Sequence, residues 1–214
     1  MPKYLDYLEY YGDKRIEIFP ENLKALMLGK KYNFPLDNLP RKLKVLYLGH
    51  DFNHSIDDLP DSVEILVFDK DSVFDKDVKK YPRSLLKLEF GLNFNKPLDN
   101  LPEGLRILKV DKYFNQSLDN LPDSVEMICI GGNYDTDDYG YRIETHFDRE
   151  VRRLPRNLRF LWYGNNFDKE KIFEDFIERV GPGYFRNKIN GEILEEDDLL
   201  SLERCILNDF YLQD

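Results

Sequence analysis

Residues 101–121 read Leu-Pro-Glu-Gly-Leu-Arg-Ile-Leu-Lys-Val-Asp-Lys-Tyr-Phe-Asn-Gln-Ser-Leu-Asp-Asn-Leu, and the 214-residue chain writes this phrase repeatedly. Prolines anchor the copies at Pro20, Pro40, Pro60, Pro82, Pro102, Pro122 and Pro155, spaced by 20, 20, 22, 20, 20 and 33 residues. A degenerate copy starts at Pro2. Self-similarity at a short fixed period predicts stacked coils, each unable to bury its apolar groups alone.

Positions within a copy have fixed characters. The third residue after proline is Leu23, Leu43, Val63, Leu85, Leu105, Val125 or Leu158, and the sixth is Leu26, Leu46, Leu66, Leu88, Leu108, Ile128 or Leu161. The eighth is Leu28, Leu48, Phe68, Phe90, Val110, Ile130 or Tyr163. Apolar sixth and eighth positions around a variable seventh have the period of a strand. Gly or Asp then turns the chain, as at Gly49 and Asp111. An aromatic residue follows (Tyr32, Phe52, Phe94, Phe114, Tyr134, Phe167), usually with Asn behind it (Asn33, Asn53, Asn95, Asn115). Coils of about 20 residues leave no room for a full crossover helix. The predicted fold is therefore a leucine-rich-repeat-like solenoid with one parallel sheet. The recurring Asn has a structural role in this reading, its amide bonding the backbone of adjacent coils.

The pattern Leu-Pro-x-x-Leu-x-x-Leu-x-Leu-Gly-x-x-Phe-Asn-x-x-Leu, carried by residues 39–56 and 101–118, resembles the FNIP repeat. This is a subclass of leucine-rich repeats abundant in social amoebae and in giant viruses that infect amoebae. The resemblance covers roughly residues 20–168 and departs in period, since family repeats lie nearer 22 residues with Ile-Pro after Phe-Asn. Some viral members carry an F-box ahead of the repeats, but only 19 residues precede Pro20. The resemblance implies a viral or amoebal setting and protein partners from host or virus.

Hydrophobic residues make up 42% of the chain and aromatic ones 14%, enough for a continuous core. A net charge of −10, with Lys and Arg interspersed among the acids, argues against nucleic acid and anionic membrane as partners. Cys129 and Cys205 supply neither a disulfide framework nor metal-ligand spacing. Asp6 and Glu9 interrupt the opening residues, so no secretory leader is expected there, and no apolar run is long enough for a membrane helix. A cytoplasmic location follows as the expectation, in the host cytoplasm if the chain is viral.

Residues 1–19 read as an N-terminal cap, with Leu5, Leu8 and Tyr10 at the third, sixth and eighth positions. The repeat solenoid then runs over residues 20–167. A two-residue insertion around residues 71–74 is expected to bulge outward, and a 13-residue insertion is placed at 135–147. That loop carries Asp135, Asp137, Tyr139 and Gly140, a partial echo of a calcium loop that fails at His146, where a bidentate Glu is needed. Residues 168–214 are expected to form a helical C-terminal cap. One helix carries Ile172, Phe173, Phe176, Ile177 and Val180 on its apolar face and stops at Gly181-Pro182-Gly183; a second spans about 195–207.

Nothing in the chain assembles an acid, a base and a nucleophile, so an enzyme is the third-ranked reading, and no cofactor or metal is expected. His50 and His54 share one turn without a third ligand, and His146 stands apart. Asn53-His54-Ser55 and Asn115-Gln116-Ser117 spell glycosylation sequons that arise from the repeat itself. The more informative residues are the outward fifth and seventh positions of the strands. Met27, Val45, Tyr47, Ile65, Val67, Ile107, Met127, Phe160 and Trp162 form an apolar stripe on the concave sheet, with Cys129 beside it, broken by Lys87, Glu89 and Lys109. An exposed apolar stripe marks an interaction surface. The expected function is a non-enzymatic scaffold that binds a protein partner through this sheet. The alternative is a homodimer or larger homo-oligomer joined through the same face, and a competing possibility is that the ends of the chain fold over it.

Overall fold

Proline at the head of each copy has a direct structural consequence. Its carbonyl accepts the N–H of the third residue after it at all seven anchors, Pro20 to Leu23 through Pro155 to Leu158, at 3.0–3.2 Å. A second tight turn follows the strand, where Gly29, Gly49, Gly91 and Asp111 accept the N–H of Tyr32, Phe52, Phe94 and Phe114. Between the two turns only four residues remain extended.

The computed structural model describes residues 5–131, 145–163, 177–181 and 184–187. Its strands are β1 (Tyr7–Tyr10), β2 (Ala25–Leu28), β3 (Val45–Leu48), β4 (Ile65–Phe68), β5 (Lys87–Glu89), β6 (Ile107–Val110), β7 (Met127–Ile130) and β8 (Phe160–Tyr163). These eight lie in one parallel sheet in chain order. The register never slips: Leu8 pairs with Leu26, and the row continues through Leu46, Leu66, Leu88, Leu108, Ile128 and Leu161. The protein is a parallel β-solenoid.

The third- and sixth-position residues are buried in every coil from Leu23 to Leu161, and the eighth-position residues from Leu28 to Ile130. Behind them runs a column of aromatic rings. Phe52, Phe74, Phe94, Phe114 and Phe147 follow one another at 6.0–6.4 Å between centroids, with planes within 19° of parallel. Coils approach so closely at Gly49 and Gly91 that a β-carbon would lie 2.2 Å from the carbonyl oxygen of Gly29 or Asp69, so only glycine fits without a shift of backbone.

The recurring Asn forms a ladder between coils. Asn33 Oδ1 accepts the Asn53 N–H, Asp75 Oδ1 the Asn95 N–H, Asn95 Oδ1 the Asn115 N–H, and Asn115 Oδ1 the Asp148 N–H. One rung is missing. Asn53 Oδ1 is buried without a hydrogen-bond partner at the step where the two-residue insertion displaces the next coil.

Both insertions contribute residues to the core. The shorter one does not simply bulge out: Phe74 enters the aromatic column while Asp71 and Val73 are exposed. In the longer one, Phe147 continues the column, and Thr145 is buried beside it. Phe147, at the end of the expected insertion, therefore belongs to the repeating core. The calcium-like residues Asp135 to Gly140 lie outside the described residues.

The helix expected over residues 172–180 is also corrected. Ile177–Gly181 is a strand, β9, paired antiparallel with β10 (Tyr184–Asn187), and β10 lies beside β8. A short apolar run with β-branched Ile177 and Val180 satisfies either periodicity, and Gly-Pro-Gly serves a hairpin turn as readily as a helix stop. The rest of the expected helical cap, including 195–207, lies outside the described residues.

A longer period overlies the short one. The coils from Pro20, Pro40 and Pro60 are echoed 62 residues later by those from Pro82, Pro102 and Pro122. Residues 59–64 and 121–126 are both Leu-Pro-Asp-Ser-Val-Glu, and 35–40 and 97–102 are both Pro-Leu-Asp-Asn-Leu-Pro. Identical words take identical geometry: Ser62 and Ser124 donate to the Leu43 and Leu105 carbonyls at 2.8 and 2.7 Å, and Asn38 and Asn100 adopt φ of 62° and 63°. Asp61 and Asp123 each receive two cations of the next coil, Lys80 with Arg83 and Arg153 with Arg156.

Tyr81 stands where Leu39, Leu59, Leu101 and Leu121 precede the other anchors, and its buried hydroxyl finds no hydrogen-bond partner among the described residues. Burial pushes its pKa well above the ordinary tyrosine value. Removing an unsatisfied buried hydroxyl relieves its desolvation cost, so Tyr81→Phe should stabilise the chain by about 1 kcal/mol. Thermal unfolding checks this, and a lowered midpoint would show that the hydroxyl is satisfied after all.

Candidate interaction surface

Because strand side chains alternate, the fifth and seventh positions of every coil share the sheet face that points away from the aromatic column. Pairing aligns them in two rows. One runs Tyr7, Ala25, Val45, Ile65, Lys87, Ile107, Met127 and Phe160; the other runs Glu9, Met27, Tyr47, Val67, Glu89, Lys109, Cys129 and Trp162. Eight of the nine residues of the expected stripe therefore stand on one face, and Trp162 holds the matching register position.

The stripe is not open along its length. Tyr47 is 37% exposed, and Met27, Val45 and Val67 are half-buried, but Ile65 is 7% exposed, Phe160 1%, and Ile107 and Met127 0%. The expectation of a continuous exposed stripe is thus corrected for Ile65, Ile107, Met127 and Phe160, which the chain's own atoms cover. Cys129, expected at the surface, is likewise buried. Alternation says which face a side chain takes and not what packs on that face; covering apolar area is favourable at about 25 cal/mol per Å². Trp162 is placed by its pairing with Cys129, and its exposure lies outside the described side chains.

A charged cluster divides the two halves. Glu89 lies 3.3 Å from Lys87 Nζ and 4.0 Å from Lys109 Nζ, all three side chains being largely withdrawn from water. Beyond it, Asp111 is held above the usual carboxylate range, chiefly by burial.

At the opposite end the face ends in tyrosines. Tyr7 is 50% exposed. The hydroxyls of Tyr7 and Tyr11 donate to the two carboxylate oxygens of Glu9, the second at 2.9 Å, and Tyr11 also reaches Met27 Sδ. These bonds hold the Glu9 carboxyl below its ordinary pKa and push that of Tyr7 up to about 12. The alternation of residues 7, 9 and 11 on an edge strand was the signal available in the sequence.

The histidines do not converge. His50 Nδ1 meets its neighbour Asp51, His54 Nε2 meets the Asn33 carbonyl, and His146 packs edge-on to Tyr113.

The FNIP repeat model matches residues 14–51, 33–71 and 94–133. These three stretches are similar to FNIP repeats. Among solved structures, the chain is similar to CroV588, described as a novel circular LRR protein structure, at 22% identity and a TM-score of 0.36. The match covers 78% of this chain and 35% of that one, so this chain spans about a third of its length. A comparison with curated proteins finds no match.

Proposed function

We propose that this chain is a non-enzymatic interaction scaffold that takes a protein partner on the N-terminal half of the outer sheet face. The observation that carries the reading is the open end of the stripe, where half-buried Met27, Val45 and Val67 surround exposed Tyr47. Apolar residues with a polar-tipped aromatic at their centre have the composition of an interface core. The solenoid positions these groups rigidly, because each strand is locked to its neighbours by ladder bonds and by the core beneath.

The test is affinity capture with the wild type and with Tyr47→Asp combined with Val67→Asp, run side by side. The variant should keep the wild-type circular dichroism spectrum and lose its partner, as expected for an aromatic hot spot worth about 2 kcal/mol or more. Retention of every partner by the folded variant would sink the proposal. A fall in mass by light scattering without loss of another protein would instead identify the partner as a second copy of this chain.

A further inference from the structure

Strand β1 ends the sheet, and among the described residues no strand pairs its outer edge. Its outward side chains continue in Tyr11, so that Tyr7, Glu9 and Tyr11 stand in a row along that edge. Glu9 is exposed and fully engaged by two tyrosine hydroxyls, yet among the described residues no Lys or Arg pairs with it. The hydroxyls fix the carboxylate between two aromatic rings.

We propose that this edge binds an extended basic segment of the partner protein, added as a strand beside β1, with one Lys or Arg side chain seated against Glu9 between the rings of Tyr7 and Tyr11. Strand addition satisfies the edge's open backbone groups and brings a facing side chain within about 5 Å of its opposite number. The cation meets a carboxylate below and aromatic surfaces on either side, the combination that recognises ammonium and guanidinium groups. The chain's net charge of −10 steers a basic partner toward it. This inference rests on the scaffold reading and names the chemistry of the partner.

A fluorescein-labelled Lys-Val-Lys-Val-Lys peptide, titrated into the full chain by anisotropy, tests it, with Glu-Val-Glu-Val-Glu as the control peptide. The basic peptide should bind and the acidic one should not. Glu9→Gln and the pair Tyr7→Ala with Tyr11→Ala should each weaken binding about tenfold. Glu103→Gln, an equal change of charge at an exposed turn, should leave binding unchanged. Equal losses in Glu9→Gln and Glu103→Gln would reduce the effect to net charge and overturn the proposal, as would no binding of the basic peptide. Partner capture separates the two readings. If Tyr47→Asp with Val67→Asp loses the partner while Glu9→Gln keeps it, the scaffold stands and the basic-segment site falls; if neither variant loses it, the scaffold reading falls.

Discussion

Replacing Phe94 by Ala should lower the unfolding free energy by about 3 to 5 kcal/mol, more than any surface change in the chain. Phe94 is buried and touches aromatic rings on three sides. Phe90 stacks on it at 3.6 Å between centroids, and Phe74 and Phe114 lie at 6.0 and 6.3 Å. In a solenoid each coil contacts only its neighbours, so a gap here weakens two interfaces at once. The surrounding Leu85, Leu88 and Leu98 belong to the same core but are tied to their own turns and strand, which limits collapse into the cavity. Urea unfolding followed by circular dichroism measures the effect. Lys24→Ala, on the exposed outside of a coil, should change stability by less than about 0.5 kcal/mol. If the two variants unfold at the same midpoint, the aromatic column does not hold the coils together.

Glu89→Ala should cost about 3 kcal/mol by a different mechanism. Glu89 is the carboxylate shared by Lys87 and Lys109, at 3.3 and 4.0 Å, on a sheet face where all three side chains are mostly withdrawn from water. Removing it leaves two ammonium groups close together with less compensation for their lost hydration. The pair itself need not be a net source of stability. A Glu89→Ala variant as stable as the wild type would mean that water reaches the cluster and screens it.

These two predictions draw on different levels of information. The aromatic column was legible in the sequence up to two ambiguities, since Phe52, Phe94 and Phe114 recur at one position of the repeat. Phe74 and Phe147 were not assigned to it, because insertions shift them off the period and only stacking identifies them. Glu89 and Lys109 hold equivalent positions on adjacent strands, whereas the participation of Lys87 needed the positions of its atoms. The 62-residue period was written in plain repeated words, and its structural counterpart is the paired hydroxyl and aspartate contacts of the third coil in each block.

The outer face shows the boundary between the two kinds of information most clearly. Strand period and coil register are local properties: Leu88 and Leu108 point inward because their neighbours along the chain alternate and because the turns on either side have fixed length. A sequence of 20-residue phrases is sufficient to specify that arrangement. Whether an outward Ile107 or Met127 meets water depends instead on segments distant in sequence, and periodicity carries no term for them. The same holds for residues 177–187, where β-branched residues and Gly-Pro-Gly suit either a helix end or a hairpin. There the antiparallel pairing of β9 with β10 and the position of β10 beside β8 made the choice, because backbone groups that pair with another strand gain what an isolated amphipathic turn cannot.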